Sequence, residues 1–281
     1  MVPSARLTQR VAGGFAVNLG IAGRVALLVG GSKGMGREAA HMLATEGCKV
    51  AVVARTMSGI DEVVDSIRGE GGTATGVKAD ISVEGDVRRA VAETTKAFGP
   101  PLIVIGQTKF NVPGDFADIT DYSHYLDSFQ SYTMSQIYLL HQVLPAMKEA
   151  GWGRFVHIGS ATAKEPGGTI HHVIANATRP STVGLLKTVA DEYGRYGITV
   201  NTVAPGWIAT QNAYDYLEKN LGRTTEEQRQ DWMVQTARVP AGRMGEPREI
   251  ASLIVYLCSD QAGYINGTWT AVDGGRHRAA F

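Results

Sequence analysis

Between Arg24 and Val272 short apolar runs alternate with stretches of helical period, and this alternation restricts the fold more than any other feature of the chain. Val25–Val29, Val50–Ala54, Ala74–Ala79, Leu102–Ile105, Phe155–Ile158, Thr199–Ala204 and Trp269–Val272 read as strands. Gly34–Glu46, Ile60–Ile67, Asp86–Phe98, Tyr122–Glu149, Pro180–Tyr193 and Glu249–Cys258 read as helices. Apolar strands without polar alternation are buried on both faces, and strands spaced by helices are joined by crossovers. The expected class is therefore α/β, a doubly wound parallel sheet of about seven strands with helices on both faces. No linker or internal repeat interrupts the pattern, so 21–281 is expected to form one domain.

Composition removes several classes of function. Of 281 residues, 44% are hydrophobic and 19% charged, which is enough apolar matter for a full core. Lys+Arg and Asp+Glu are both 27, so no cationic excess favours nucleic acid. Cys48 and Cys258 are the only cysteines and have no metal-ligand spacing, which suits a reducing, cytoplasmic setting. No metal site is expected. No apolar run is long enough for a membrane span. Residues 1–20 carry Arg6 and Arg10 and no acid. They read as an extension, either an arm against a neighbouring subunit or a targeting segment. The charged stretch 211–235 follows the turn Pro205-Gly206 and reads as a lid over a cleft or as a surface insertion.

The first strand runs straight into Gly30-Gly31-Ser32-Lys33-Gly34-Met35-Gly36, and a helix follows. Glycines there allow a tight turn and close approach of backbone to a ligand, and a helix N-terminus offers N–H groups to a diphosphate. Lys33 is followed by Gly34 instead of Ser or Thr, so this is not a P-loop. After the second strand a dinucleotide fold for NAD carries an acid that binds the ribose 2′-hydroxyl. Here Lys49–Ile60 contains no acid, and Arg55 stands nineteen positions after Gly36. A guanidinium there suits a 2′-phosphate, with Lys33 as a second charge, so NADP(H) is expected over NAD(H). The alternative is that Arg55 is a solvated surface residue. Asp80 either binds the adenine amino group or caps the next turn.

These residues carry a family likeness over about 20–275. The glycine loop, the run from Ile198 to Thr210, and Tyr264-Ile265-Asn266-Gly267 with Val272-Asp273-Gly274-Gly275 together resemble the short-chain dehydrogenase/reductase family. The resemblance implies a Rossmann fold, a soluble enzyme acting on a small carbonyl or alcohol, and a homotetramer or homodimer. It implies cofactor contacts at Gly30, Ser32, Lys33, Gly34, Met35, Gly36, Arg55, Asp80, Ile81, Gln107, Arg179, Pro205, Gly206, Ile208 and Thr210.

That family works with Asn, Ser, Tyr and Lys, and only Ser is plainly kept, as Ser160 in His157-Ile158-Gly159-Ser160. Counting along the chain puts Arg179 at the Lys position, Ala175 at the Tyr position and Tyr132 at the Asn position. Ile105-Gly106-Gln107-Thr108 replaces the usual Asn-Asn-Ala-Gly. A divergent branch of the family, similar to 3-oxoacyl reductases, carries Arg for Lys, and this chain resembles that branch. Arg179 can stabilise an anion but cannot release a proton near neutral pH. Pro180 after it suits a helix first turn. Candidate proton donors are His172, whose spacing to Arg179 mimics a Tyr-x₆-Lys pair of certain enoyl reductases, His171 beside it, and Tyr132. Ser160 orients a carbonyl oxygen, and Trp207 and Tyr214 suggest an aromatic wall. The expected activity is NADP(H)-dependent hydride transfer at a carbonyl/alcohol pair through a non-standard site. The alternatives are reduction of a conjugated C=C bond and a cofactor-binding pseudoenzyme without turnover.

Overall fold

The computed structural model describes residues 8–11, 14–107, 112–166 and 171–279. Seven parallel strands form one sheet in the order β5-β4-β3-β6-β7-β8-β9. They are β3 (Val25–Val29), β4 (Lys49–Ala54), β5 (Thr73–Lys78), β6 (Ile103–Gln107), β7 (Gly153–Ile158), β8 (Ile198–Pro205) and β9 (Trp269–Val272). The chain winds outward from β3 to β5, returns to the other side of β3, and winds outward again to β9. This is the doubly wound Rossmann arrangement. Its direction switches between β3 and β6, where Leu27 pairs with Ala51 on one side and Val104 on the other. At such a switch the connections diverge and leave a crevice at the carboxyl ends of the strands. Ahead of the sheet, β1 (Thr8–Val11) and β2 (Gly14–Val17) pair antiparallel.

Successive strand residues feed opposite cores because side chains alternate across a sheet. Ala26, Leu28, Val50 and Val52 meet α1 (Gly34–Thr45), α2 (Met57–Gly69) and α9 (Pro247–Leu257) through Leu43, Ile60, Val63 and Ile254. Leu27, Val29, Ala51 and Val53 meet α3 (Glu84–Phe98), α5 (Ser135–Ala150) and α6 (Val173–Tyr193) through Val87, Leu139, Val143 and Leu186.

Three departures from the sequence reading shape the site. Helix α6 begins at Val173, so Pro180 lies in its interior and not in its first turn. The extra turns are held from outside: Ser128 on α4 (Ser123–Phe129) and Thr178 on α6 share a hydroxyl–hydroxyl bond of 2.7 Å. The long helix expected over 122–149 is α4 and α5 joined by a π-helical turn, Gln130–Met134. The stretch 211–235 is mostly helical, as α7 (Gln211–Leu221) and α8 (Glu226–Gln235). Among the described residues no helix is long and apolar enough to cross a membrane.

Candidate active site

A cleft of about 810 Å³ opens along the carboxyl ends of the strands and runs across the β3/β6 switch. One half is built from the first three strands. The glycine loop after β3 turns with Gly30 at φ +71°, and any Cβ on Gly36 would collide with the Gly30 carbonyl oxygen. The loop can therefore fold this tightly on itself only because these positions lack side chains. No side chain caps the N-terminus of α1, which leaves its first-turn N–H groups open to an anion. Lys33 and Arg55 are exposed and line this half, and neither forms an ion pair among the described residues. Asp80 lines it too, but its Oδ1 accepts from the Ser82 hydroxyl at 2.7 Å and the Ser82 N–H at 3.0 Å, so it caps its own turn.

The boundary between the halves is Gln107, the last residue of β6. Its Oε1 is buried beside Gly30 and Gly36 without a partner among the described residues. Thr108, which completes the motif after this strand, lies outside the described residues.

The other half is built around Arg179. The guanidinium donates through Nη1 to Thr162 Oγ1 at 2.7 Å and through Nη2 to the Tyr132 phenol oxygen at 3.2 Å. Thr162 Oγ1 lies 3.2 Å from Ser160 Oγ, and the Thr162 N–H donates to the same Ser160 oxygen at 3.3 Å. Three elements thus deliver one connected cluster. Ser160 and Thr162 come from the turn after β7, Arg179 from α6, and Tyr132 from the π-helical turn, a distortion that often marks functional positions. Tyr132, Ser160, Thr162 and Arg179 all line the cleft.

Of the other expected contacts, Gly30, Ser32, Met35, Ile81, Gln107, Pro205, Gly206, Ile208 and Thr210 line the cleft, while Gly34 and Gly36 shape the loop from behind. Thr210 caps α7 and lies against Gly34. His172 also lines the cleft, edge-on to Tyr216 at 4.9 Å between ring centroids. Burial, reinforced by the Arg179 charge, pushes its pKa down to about 4. A lowered pKa disfavours the protonated ring and weighs against the expected role of His172 as proton donor. His171 turns away, with Nδ1 at 2.6 Å from Asp115 Oδ1, and does not line the cleft. Tyr214 also lies outside the wall, under Arg229 at 4.9 Å. Its neighbour Tyr216 takes that place beside Trp207, at 6.0 Å, because α7 turns 212, 213 and 216 inward. Thr162 escaped the sequence reading, since an isolated threonine carries no pattern. Tyr216 was detectable from that helical spacing.

The family described as enoyl-(acyl carrier protein) reductase matches residues 29–277. The short-chain reductase protein NovJ of Streptomyces niveus is 32% identical over 255 residues, covering 90% of this chain and 93% of that one. The chain belongs to the short-chain dehydrogenase/reductase family. L-sorbose reductase from Gluconobacter frateurii, solved with NADPH and L-sorbose, superimposes on this family member with a TM-score of 0.85 at 27% identity. It covers 94% of this chain and 100% of that one. An actinorhodin polyketide ketoreductase variant solved with NADPH gives 0.84 at 31% identity, over 91% and 98% of the two chains.

Proposed function

We propose that this family member is an NADP(H)-dependent reductase of a carbonyl substrate, working through Ser160, Tyr132 and Arg179 in place of the usual side chains. The observation that carries the reading is the Arg179 fork, which ties two hydroxyl-bearing elements together inside the cleft. The cofactor half fits NADP(H). The glycine cradle and the uncapped α1 N-terminus suit a diphosphate, and Lys33 and Arg55 offer unpaired charge to a 2′-phosphate. The relatives solved with NADPH support the same choice.

When bound, NADPH supplies the hydride. The chain must then place the carbonyl, steady the oxygen as it gains charge, and deliver a proton to it. Ser160 donates to the oxygen and orients it. Ala175, at the Tyr position, offers no phenol, and Tyr132, held in the same cluster by Arg179, takes over as proton donor. Arg179, a permanent cation bonded to the phenol oxygen, stabilises the phenolate left behind, which solvent then reprotonates. His172 and the Trp207–Tyr216 pair line the substrate end. Residues 211–235 serve as its cover, with Asn212, Ala213 and Tyr216 facing inward. On this reading 21–281 is one catalytic domain with 1–20 as an extension, placed in the cytoplasm as a homotetramer or homodimer.

The test is NADPH consumption across a panel of ketones, diketones and activated enones. Turnover of a ketone or diketone is expected. Ser160→Ala should lower kcat about 10²–10³-fold, the scale of one lost oxyanion donor. Tyr132→Phe should lower it about 10²–10⁴-fold, the scale of a placed proton donor. Intact turnover in Ser160→Ala would show the site to be misassigned. Turnover of enones alone would move the reaction to a C=C bond, and NADPH binding without turnover of any compound would make the chain a pseudoenzyme.

A further inference from the structure

Thr162, 4% exposed, carries a hydroxyl that contacts both Ser160, the donor to the substrate oxygen, and Arg179, the cation that holds Tyr132. Its hydrogen bonds can be assigned a direction. A guanidinium has donors and no acceptor, so at the 2.7 Å contact Arg179 Nη1 donates and Thr162 Oγ1 accepts. The proton at the 3.2 Å contact between Thr162 Oγ1 and Ser160 Oγ then has two possible positions. If Ser160 donated, the threonine proton, on a residue only 4% exposed at the cleft wall, would have less access to an acceptor than the half-buried Ser160 proton has, and an unmade bond there is costly. If Thr162 donates, the leftover proton is that of Ser160, which faces the cleft, where water or substrate accepts it. The second arrangement is favoured. Ser160 Oγ then receives two bonds, from the Thr162 hydroxyl and from the Thr162 N–H at 3.3 Å. Both of its lone pairs are then occupied, and its own proton is left for the cleft.

We infer that Thr162 is a positioning residue that relays the Arg179 donation to Ser160 and so fixes Ser160 as a one-way donor to the substrate oxygen. The relay rests on the carbonyl-reductase reading above and adds a residue to it. It also pins the guanidinium at both ends of its fork, Nη1 on Thr162 and Nη2 on Tyr132, which sets the plane that Tyr132 meets.

The experiment compares Thr162→Val, which keeps the shape and removes the hydroxyl, with Thr162→Ser, which restores it. The substrate is the ketone or diketone that wild type reduces fastest, with 9,10-phenanthrenequinone as the first probe. Thr162→Val should lower kcat about 10- to 100-fold, the usual scale for losing a group that orients a reacting one. KM and the NADPH dissociation constant, read by nucleotide fluorescence, should stay within about twofold of wild type, less than the fold-change of one lost neutral hydrogen bond. Thr162→Ser should recover most of the loss. A second readout is independent of turnover. In ¹⁵N spectra the Arg179 Nη signals, assigned by their absence in Arg179→Lys, should show hindered guanidinium rotation in wild type and Thr162→Ser and free rotation in Thr162→Val.

Equal losses in the Val and Ser variants, or a Val variant that no longer binds NADPH, would make Thr162 a structural residue and overturn the relay. A Val variant with wild-type kcat beside an inactive Ser160→Ala would overturn the relay alone. An active Ser160→Ala, or a wild type that turns over nothing, would overturn the reductase reading and the relay with it.

Discussion

On the proposed reading, a single side chain separates two nucleotides in this cleft. Arg55 stands where a carboxylate would bind a ribose hydroxyl, and it is exposed with no ion pair among the described residues. Replacing it by alanine should weaken NADPH binding about 10- to 100-fold, the worth of one charge-assisted hydrogen bond, and leave NADH binding unchanged. Isothermal titration with both nucleotides reads this directly, and an equal effect on both would remove Arg55 from the 2′-phosphate. The residue could be singled out from sequence because its signal is positional: the end of a strand, counted from a glycine. His172 was harder to judge. Its spacing to Arg179 suggested an acid, but burial, which no local pattern carries, is the larger cause that lowers its pKa, with the Arg179 charge second. Thr162 lies further still from detection, since its role consists of two partners that fold in from other elements.

Elements record which sequence rules survive tertiary contact. The strand bounds Val25–Val29 and Trp269–Val272 were legible to the residue, because an apolar run between turn residues has few other uses. Helix α6 was not. Proline is disfavoured inside a helix, so the local rule started the helix at Pro180, yet contacts with α4 hold two further turns ahead of it. The π-helical turn is likewise invisible to periodicity, and it is what brings Tyr132 toward Arg179. At α1 the local rule held. Gly36 occupies the helix's first turn with no room for a methyl group against Gly30. Gly36→Ala should displace the loop, raise the NADPH dissociation constant about 5- to 150-fold and lower Tm. Misplaced backbone in a packed core costs about 1–3 kcal/mol, which sets that range. Unchanged NADPH affinity would mean the diphosphate does not sit on this loop.

The whole molecule is expected to lose stability on acidification, and one histidine isolates part of the effect. His157 is fully enclosed between β6 and β8, and burial, with a smaller push from Arg179, lowers its pKa from 6.5 to about 4. The unfolded chain therefore takes up a proton that the folded chain refuses between these values. The sign follows: this contribution is complete above about pH 6.5, falls as pH drops, and is gone near pH 4, for a total of about 3 kcal/mol. Urea denaturation at pH 7.5 and at pH 4.5 should show a smaller difference in His157→Gln than in wild type. Equal differences would mean that the histidine titrates alike in both states.

The order of the strands also has a historical reading. The glycine loop, Lys33 and Arg55 come from the first three strands of the sheet, and the Arg179 cluster from later strands and helices on the far side of the β3/β6 switch. Because separate lengths of chain furnish the two jobs, mutation can rewrite one while selection preserves the other. A lineage that keeps its grip on an electron carrier is free to experiment with what receives the electrons.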